Sequence, residues 1–75
     1  MPELDTLARR IKAYRTKFGK TQFDLALDIG ISIEELSLIE RKLTDPKMST
    51  LQKIAAYMGV TVSELLSEEK DVSYG

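Results

Sequence analysis

Apolar residues recur along the chain at the spacing of amphipathic helices. From Glu3 to Phe18 they fall three or four positions apart, and basic residues fill most of the positions between them, which predicts one long helix. Shorter helical segments follow, and glycines at positions 19, 30 and 59 separate them. No segment alternates apolar and polar residues over the length of a strand. The sequence therefore predicts an all-α fold of five helices.

Side-chain caps predict where the later helices begin. A Ser or Thr followed three residues later by Asp, Glu or Gln is typical of a capping box, in which two side chains satisfy free backbone amides at the helix start. Four such pairs occur, and they are Thr21 with Asp24, Ser32 with Glu35, Ser49 with Gln52, and Thr61 with Glu64. They predict the first turns of the second to the fifth helix.

Residues 22–41 carry the pattern of two short helices joined by a tight turn. Ala26 is small where the helices would cross closely, and Gly30 tolerates the positive φ that such a turn requires. The third helix is predicted to end near Lys42, before a Thr-Asp-Pro turn signal. The apolar positions expected to face a shared core are Leu25, Ile29, Ile31, Leu36, Ile39 and Leu43. The joint pattern predicts a helix-turn-helix unit.

Length and composition limit the classes of protein. Seventy-five residues form one small domain, which we predict to span residues 1–69, with a loose tail at 70–75. The chain has no His and no Cys, so the usual ligands of a zinc site and the usual partners of a catalytic nucleophile are absent. Adjacent carboxylates such as Glu34 and Glu35 point to different helix faces and cannot flank one bond. We therefore expect neither an enzyme nor a metal or cofactor site.

Two features of the sequence indicate where in the cell the protein resides. No apolar run approaches the roughly 20 residues of a membrane span, and the first residues lack the basic and apolar regions of a signal peptide. We therefore expect a cytoplasmic protein with no membrane partner.

Charged residues are segregated along the chain. The net charge is only −1, but residues 1–20 carry +4, residues 21–40 carry −5, residues 41–60 carry +3 and residues 61–75 carry −3. The second of these segments contains no basic residue. The folded protein is therefore predicted to present separate basic and acidic faces. The basic side chains expected on the surface around the first helix are Arg9, Arg10, Lys12, Lys17 and Lys20.

Several of these segments together resemble a known family. The matching motifs are Arg10-Ile11-Lys12-Ala13-Tyr14-Arg15, Thr21-Gln22, Leu25-Ala26, Gly30-Ile31-Ser32, Ile39-Glu40-Arg41, Pro46, Leu51-Gln52-Lys53-Ile54-Ala55 and Gly59-Val60-Thr61-Val62-Ser63-Glu64-Leu65-Leu66. They cover about residues 7–66 and are similar to those of the Xre-like, lambda-repressor-like DNA-binding domains, which include Cro-type proteins. The resemblance implies a five-helix lambda-repressor-like domain, with the helix-turn-helix formed by the second and third helices. It also implies a transcriptional regulator that binds double-stranded operator DNA as a dimer, with the third helix in the major groove.

The resemblance assigns candidate contacts to individual residues. Thr21 and Gln22 match positions that meet the phosphate backbone, and the free amides at a helix start favour anions. Arg15 and Glu40 match an internal ion pair between the first and third helices. The positions that match base-reading residues are Ser32, Ile33, Glu34, Ser37 and Leu38. The positions that match phosphate contacts after the third helix are Lys42, Thr44 and Lys47.

The third helix departs from the family in its base-reading side chains. Family members usually carry Arg, Lys, Gln or Asn there, because these side chains donate hydrogen bonds to guanine and adenine edges. This chain instead offers Ile33, Glu34 and Leu38; a Glu can accept a hydrogen bond from cytosine, and an apolar side chain can contact a thymine methyl group. The alternative interpretation is that Ile33 and Leu38 form a docking patch for a protein partner, so that the domain serves protein–protein interaction instead.

The fourth and fifth helices are rich in apolar residues. These residues are Met48, Leu51, Tyr57, Met58, Val60, Val62 and Leu65. Most of them are expected in the core, but relatives often dimerise through this region, so the resemblance predicts a homodimer.

Overall fold

The computed structural model describes residues 2–68, and this part of the chain forms five helices without a strand. The helices are α1 (Pro2–Phe18), α2 (Gln22–Ile29), α3 (Ile33–Glu40), α4 (Met48–Met58) and α5 (Val62–Leu66). The predicted all-α, five-helix class is confirmed. The predicted tail at residues 70–75 lies outside the described residues.

One apolar core joins all five helices. The long α1 packs on α3 and α5, while α2 packs on α3 and α4, and α4 packs on α5. Each large side chain that leaves water in such a core stabilises the fold by about 1.5–3 kcal/mol. The large apolar side chains that are almost completely buried are Leu7, Ile11, Leu25, Leu36, Ile54, Met58 and Leu65.

Two of the four predicted capping boxes are complete. At the start of α2, the Asp24 amide donates to the Thr21 hydroxyl at 3.0 Å, and the Thr21 amide donates to the Asp24 carboxylate at 3.2 Å. The start of α5 repeats this arrangement with Thr61 and Glu64, at 3.0 and 2.8 Å. Both boxes satisfy amides that the helix itself leaves free, which typically contributes about 1 kcal/mol per cap.

At α3 only half of the predicted box forms. The Ser32 hydroxyl accepts a hydrogen bond from the Glu35 amide at 3.0 Å. The Glu35 carboxylate, however, accepts a hydrogen bond from the hydroxyl of buried Thr50 at 3.0 Å. Glu35 therefore links α3 to α4 instead of closing the cap, because a tertiary partner competes with the local amide.

The predicted cap at the start of α4 is wrong. The helix begins at Met48 with Lys47 as its N-cap, and no side chain caps it. The Leu51 amide already donates to the Lys47 carbonyl at 3.0 Å, so Ser49 lies inside the first turn. Burial of Thr50 and Leu51 fixes this turn, and packing of this kind outweighs a local capping signal.

The end of α3 also differs from the prediction. The helix ends at Glu40 instead of near Lys42, because Lys42 adopts a left-handed conformation with φ of 61°. The Leu43 amide then donates to the Leu38 carbonyl at 2.9 Å, which closes the last turn. This reversal turns Leu43 outward, so the residue is 64% exposed instead of facing the core.

Between α2 and α3 the turn forms at the predicted glycine. Gly30 has φ of 90°, which side chains with a Cβ rarely adopt, and its amide donates to the Ala26 carbonyl at 2.9 Å. Ala26 and Ile29 are buried beneath α3, and Ile31 packs at the edge of the core. The turn therefore fixes how α3 projects from the body of the domain.

Candidate nucleic-acid interface

The outward face of α3 borders a groove of about 480 Å³, which we call the α3 groove. Its lining consists of Gln22, Ile33, Glu34, Ser37, Leu38 and Arg41. Four of the five predicted base-reading residues therefore share one surface, and the fifth, Ser32, lies directly before them as the N-cap of α3. The first residue of α2 borders the same groove, as a helix-turn-helix requires.

Gln22 is held in place from within the fold. Its side-chain amide donates a hydrogen bond to the Glu40 carboxylate at 3.1 Å. Thr21, the N-cap before it, is exposed, and its hydroxyl is engaged by the Asp24 amide. The start of α2 thus combines a fixed side chain with a positive helix end, which suits a phosphate group.

The predicted ion pair between Arg15 and Glu40 is present. The guanidinium donates two hydrogen bonds to the carboxylate, both of 2.8 Å. The Glu40 side chain is only 3% exposed, whereas that of Arg15 is 25% exposed. The hydrogen bond to Glu40 raises the pKa of Arg15 above its usual value, although burial opposes the shift. The pair therefore fixes α1 against α3 behind the groove.

A second polar cluster fixes α2 from the other side. The Lys20 ammonium and the Tyr57 hydroxyl both donate to the same oxygen of Asp28, at 2.8 and 3.0 Å. These hydrogen bonds, led by that from Lys20, lower the pKa of Asp28, and the bond to Asp28 raises the pKa of Lys20. Burial, followed by the hydrogen bond to Asp28, raises the pKa of Tyr57 to about 12.

The three predicted phosphate contacts after α3 lie outside the groove. Lys42 is within 3.3 Å of Asp5 and borders a separate hollow beside α1. Thr44 is half-buried in the loop between α3 and α4, and Lys47 is exposed at the start of α4. These three residues therefore belong to the segment between α3 and α4, outside the α3 groove.

Arg41 is a groove residue that the sequence analysis missed. It is exposed, follows the last residue of α3 and lines the groove. Its guanidinium donates to the Ser37 carbonyl at 3.4 Å. The signal was available, since Glu34, Ser37, Leu38 and Arg41 follow the three-and-four spacing of a single helix face.

One residue of the predicted basic surface is inside the protein. Arg10 is only 5% exposed, and its guanidinium donates to the Ser67 carbonyl beyond α5. The prediction for Arg10 is therefore wrong, because a partner 57 residues away decides its position. Arg9, Lys12 and Lys17 are exposed as expected.

The apolar residues considered for dimerisation mostly belong to the core of this chain. Leu51, Met58 and Leu65 are buried, and the side chains of Tyr57, Val60 and Val62 pack against them. Met48 differs, since this residue is 58% exposed at the start of α4. Of the residues considered for dimerisation, Met48 is therefore the one that is mainly exposed.

Comparison with known proteins agrees with this geometry. The sequence profile described as helix-turn-helix matches residues 11–65, which include all residues of the α3 groove. The chain belongs to the helix-turn-helix family. The resemblance to Xre-like and lambda-repressor-like domains is thereby confirmed.

Individual relatives of this helix-turn-helix protein include transcriptional regulators. The chain is 38% identical over 69 residues to the HTH-type transcriptional regulator SinR of Bacillus licheniformis, covering 91% of this chain and 62% of that protein. The chain therefore spans less than two thirds of that relative.

Two solved structures share the fold. A crystal structure of SinR, a master regulator for biofilm formation, in complex with DNA is 39% identical, with a TM-score of 0.71 over 81% of this chain and 98% of that one. A complex of SinR with the SinI protein is 40% identical, with a TM-score of 0.73 over 83% of this chain and 61% of that one.

None of the helices within residues 2–68 is long and apolar enough to cross a membrane.

Proposed function

We propose that this helix-turn-helix protein is a transcriptional regulator that binds specific operator DNA through α3. The observation that carries the proposal is the α3 groove, which gathers Gln22 and the outward side chains of α3 on one surface. The fold match to a chain crystallised with DNA supports it. Four of the six groove residues project from a single short helix, and a helix of this size fits the major groove.

In this arrangement the start of α2 and the loop after α3 contact the phosphate backbone. Thr21 and Gln22 present the positive end of α2, while Lys42, Thr44 and Lys47 flank the end of α3. These contacts determine position and orientation but do not read sequence. Their strength depends on salt, because bound cations leave the DNA when protein charges approach it.

Sequence would be read by the side chains in the α3 groove and by Ser32, the N-cap of α3. Glu34 accepts a hydrogen bond from the amino group of cytosine, Ser32 and Ser37 donate or accept, and Ile33 and Leu38 contact thymine methyl groups. Arg41 adds a guanidinium at the far end of the groove, and Arg is the commonest partner of guanine. The groove therefore offers donors, acceptors and apolar contacts.

Fluorescence anisotropy with a labelled duplex tests the proposal. Affinity for a mixed-sequence duplex should fall as salt rises from about 50 to 200 mM, with a slope that reports several phosphate contacts. Lys47→Ala should reduce that slope by about 1, because it removes one phosphate contact. Lys53→Ala, which changes the net charge equally but lies on α4 away from the loop, is the matched control and should leave the slope unchanged.

Two results would contradict the proposal. Absence of binding at about 50 mM salt, where phosphate attraction is strong, would exclude DNA as the ligand. Equal slopes for the Lys47 and Lys53 variants would show that the loop after α3 does not face the phosphates.

We further propose that the protein binds DNA as a homodimer, because paired half-sites are read by two-fold dimers. Exposed Met48 at the start of α4 supports a contact there. Light scattering should then give twice the chain mass of 8.5 kDa. A mass of one chain at all concentrations would disprove the dimer.

A further inference from the structure

Helix α2 carries two exposed apolar side chains that belong neither to the core nor to the α3 groove. Phe23 and Leu27 lie one turn apart, and these residues are 62% and 69% exposed. With Ile31 and Ile33 they surround a hollow of about 130 Å³ whose floor is Ala26. We call this surface, formed by Phe23, Leu27, Ile31 and Ile33, the α2 patch. Large apolar side chains gathered in this way are typical of interaction sites.

The border of the α2 patch is acidic. Successive residues of a helix point about 100° apart, so Asp24 and Asp28 flank Phe23 and Leu27 on the side away from α3. Glu34 follows Ile33 on α3, is exposed and also lines the α3 groove. No basic residue occurs between Thr21 and Glu40. The charge of Asp28 is partly balanced by Lys20, which leaves Asp24 and Glu34 as the main acidic groups.

This charge distribution favours one kind of binding partner for the α2 patch over another. A second copy that paired its own α2 patch by two-fold symmetry would bring Asp24 and Glu34 close to their counterparts, and like charges facing each other disfavour association. A segment with apolar side chains along one face and Lys or Arg beside them would bury the apolar groups and pair the charges. A helix that lays its apolar face into a groove is a common form of such recognition.

We propose that the α2 patch is a docking site for a basic amphipathic segment of a partner protein, with apolar side chains on Phe23, Leu27 and Ile33 and basic side chains towards Asp24 and Glu34. The site is additional to the DNA-binding surface, since Phe23 and Leu27 do not line the α3 groove. The two surfaces meet at Ile33, which borders both.

A designed peptide tests the proposal without knowledge of the natural partner. The probe is a fluorescein-labelled helical peptide with leucines along one face and lysines on the remaining positions, and the matched peptide carries glutamates in place of the lysines. Binding to the full chain is measured by anisotropy at about 150 mM salt, where distant charges are screened. The lysine peptide should bind at least about tenfold more tightly than the glutamate peptide, a difference of about 1.4 kcal/mol.

Variants locate the contact. Phe23→Gln with Leu27→Gln should lower the affinity for the lysine peptide at least about tenfold, and Glu34→Gln should lower it less. Glutamine is a good helix former and both positions are exposed, so the double variant should fold, as circular dichroism would verify. Leu43→Gln removes a similarly exposed leucine outside the patch and is the matched control. Amide shifts in nuclear magnetic resonance spectra should change around Phe23, Leu27 and Ile33.

Several outcomes would overturn the proposal. These are equal binding of the two peptides, unchanged affinity of the double variant, or shifts centred on Leu43. A molecular mass that rises with concentration in the natural chain but not in the double variant would show that a second copy covers the patch. The double variant should keep its DNA affinity within about twofold, because neither Phe23 nor Leu27 lines the α3 groove, so failure here is distinct from failure of DNA binding.

Discussion

Replacing Arg15 is expected to destabilise the fold more than replacing Glu40, although both substitutions break the same ion pair. The difference comes from what each leaves behind. Arg15→Met retains the aliphatic stem and leaves the Glu40 carboxylate, whose side chain is 3% exposed, with the Gln22 amide as its one remaining side-chain partner within residues 2–68. Glu40→Gln retains the shape and leaves a guanidinium that is one quarter exposed and still reaches the Lys20 carbonyl at 3.3 Å.

The magnitudes follow from the cost of an unpaired buried charge. Removing one partner of a buried pair typically costs about 3–5 kcal/mol. For Arg15→Met we expect about 3–4 kcal/mol, because the remaining carboxylate is almost completely buried. For Glu40→Gln we expect about 1–2 kcal/mol, because the guanidinium keeps solvent and a neutral acceptor. A domain of this length has a total stability of about 4–11 kcal/mol, so both losses are measurable.

Urea denaturation followed by circular dichroism measures these losses, provided that the dependence on denaturant is the same for all variants. Lys17→Met, an exposed change on the same helix, is the control and should alter stability by less than about 0.5 kcal/mol. If Glu40→Gln destabilised the protein as much as Arg15→Met, unequal burial would not be the cause. If both stayed below about 0.5 kcal/mol, the pair would contribute no more than a surface ion pair.

Two further predictions concern the turn and the tyrosine cluster. Gly30→Ala should cost about 1–2 kcal/mol in urea denaturation, because φ is 90° while nothing lies within 4 Å of an added Cβ, so the loss is backbone strain alone; a neutral effect would contradict the turn. The pKa of Tyr57 is raised to about 12 from 10.0, so its contribution to stability is full below the pKa of the unfolded chain and is lost as pH rises through that of the folded chain. The Tyr57→Phe variant should not lose this part of its stability at alkaline pH. Identical alkaline unfolding of the two proteins would refute the raised pKa of Tyr57.

Local interactions explain why much of the fold could be predicted from sequence. A cap joins residues three positions apart, so Thr21 and Thr61 predict the starts of their helices without knowledge of distant contacts. Gly30 likewise marks a turn by its own conformational freedom. Local signals fail where a side chain bonds to a distant partner. Glu35 accepts a hydrogen bond from Thr50 instead of closing its cap, and Arg10 is buried because it donates to the Ser67 carbonyl.

For the candidate site, helical spacing was sufficient to predict the outward residues of α3 but not the exposed apolar residues of α2. The positions of Ile33, Glu34, Ser37 and Leu38 follow from the period of α3 once its start is known. Arg41 continues that period but lies just beyond the helix. The exposure of Phe23 and Leu27 could not be inferred from apolar character, because α2 has eight residues and its core side is already filled by Leu25, Ala26 and Ile29.

The folded structure also changes how the acidic segment bears on DNA binding. Between Thr21 and Glu40 the chain carries five acidic and no basic residues, which as a linear pattern opposes contact with phosphates. In the fold these carboxylates are dispersed. Asp24 caps α2, Asp28 meets Lys20 and Tyr57, Glu35 meets Thr50, and Glu40 meets Arg15 and Gln22. Of the five, Glu34 alone lines the α3 groove, and Arg41 lines it too. The α3 groove is therefore balanced in charge, so the acidic segment does not oppose the proposed binding of DNA, and the basic side chains of the flanking loop would supply the attraction to phosphates.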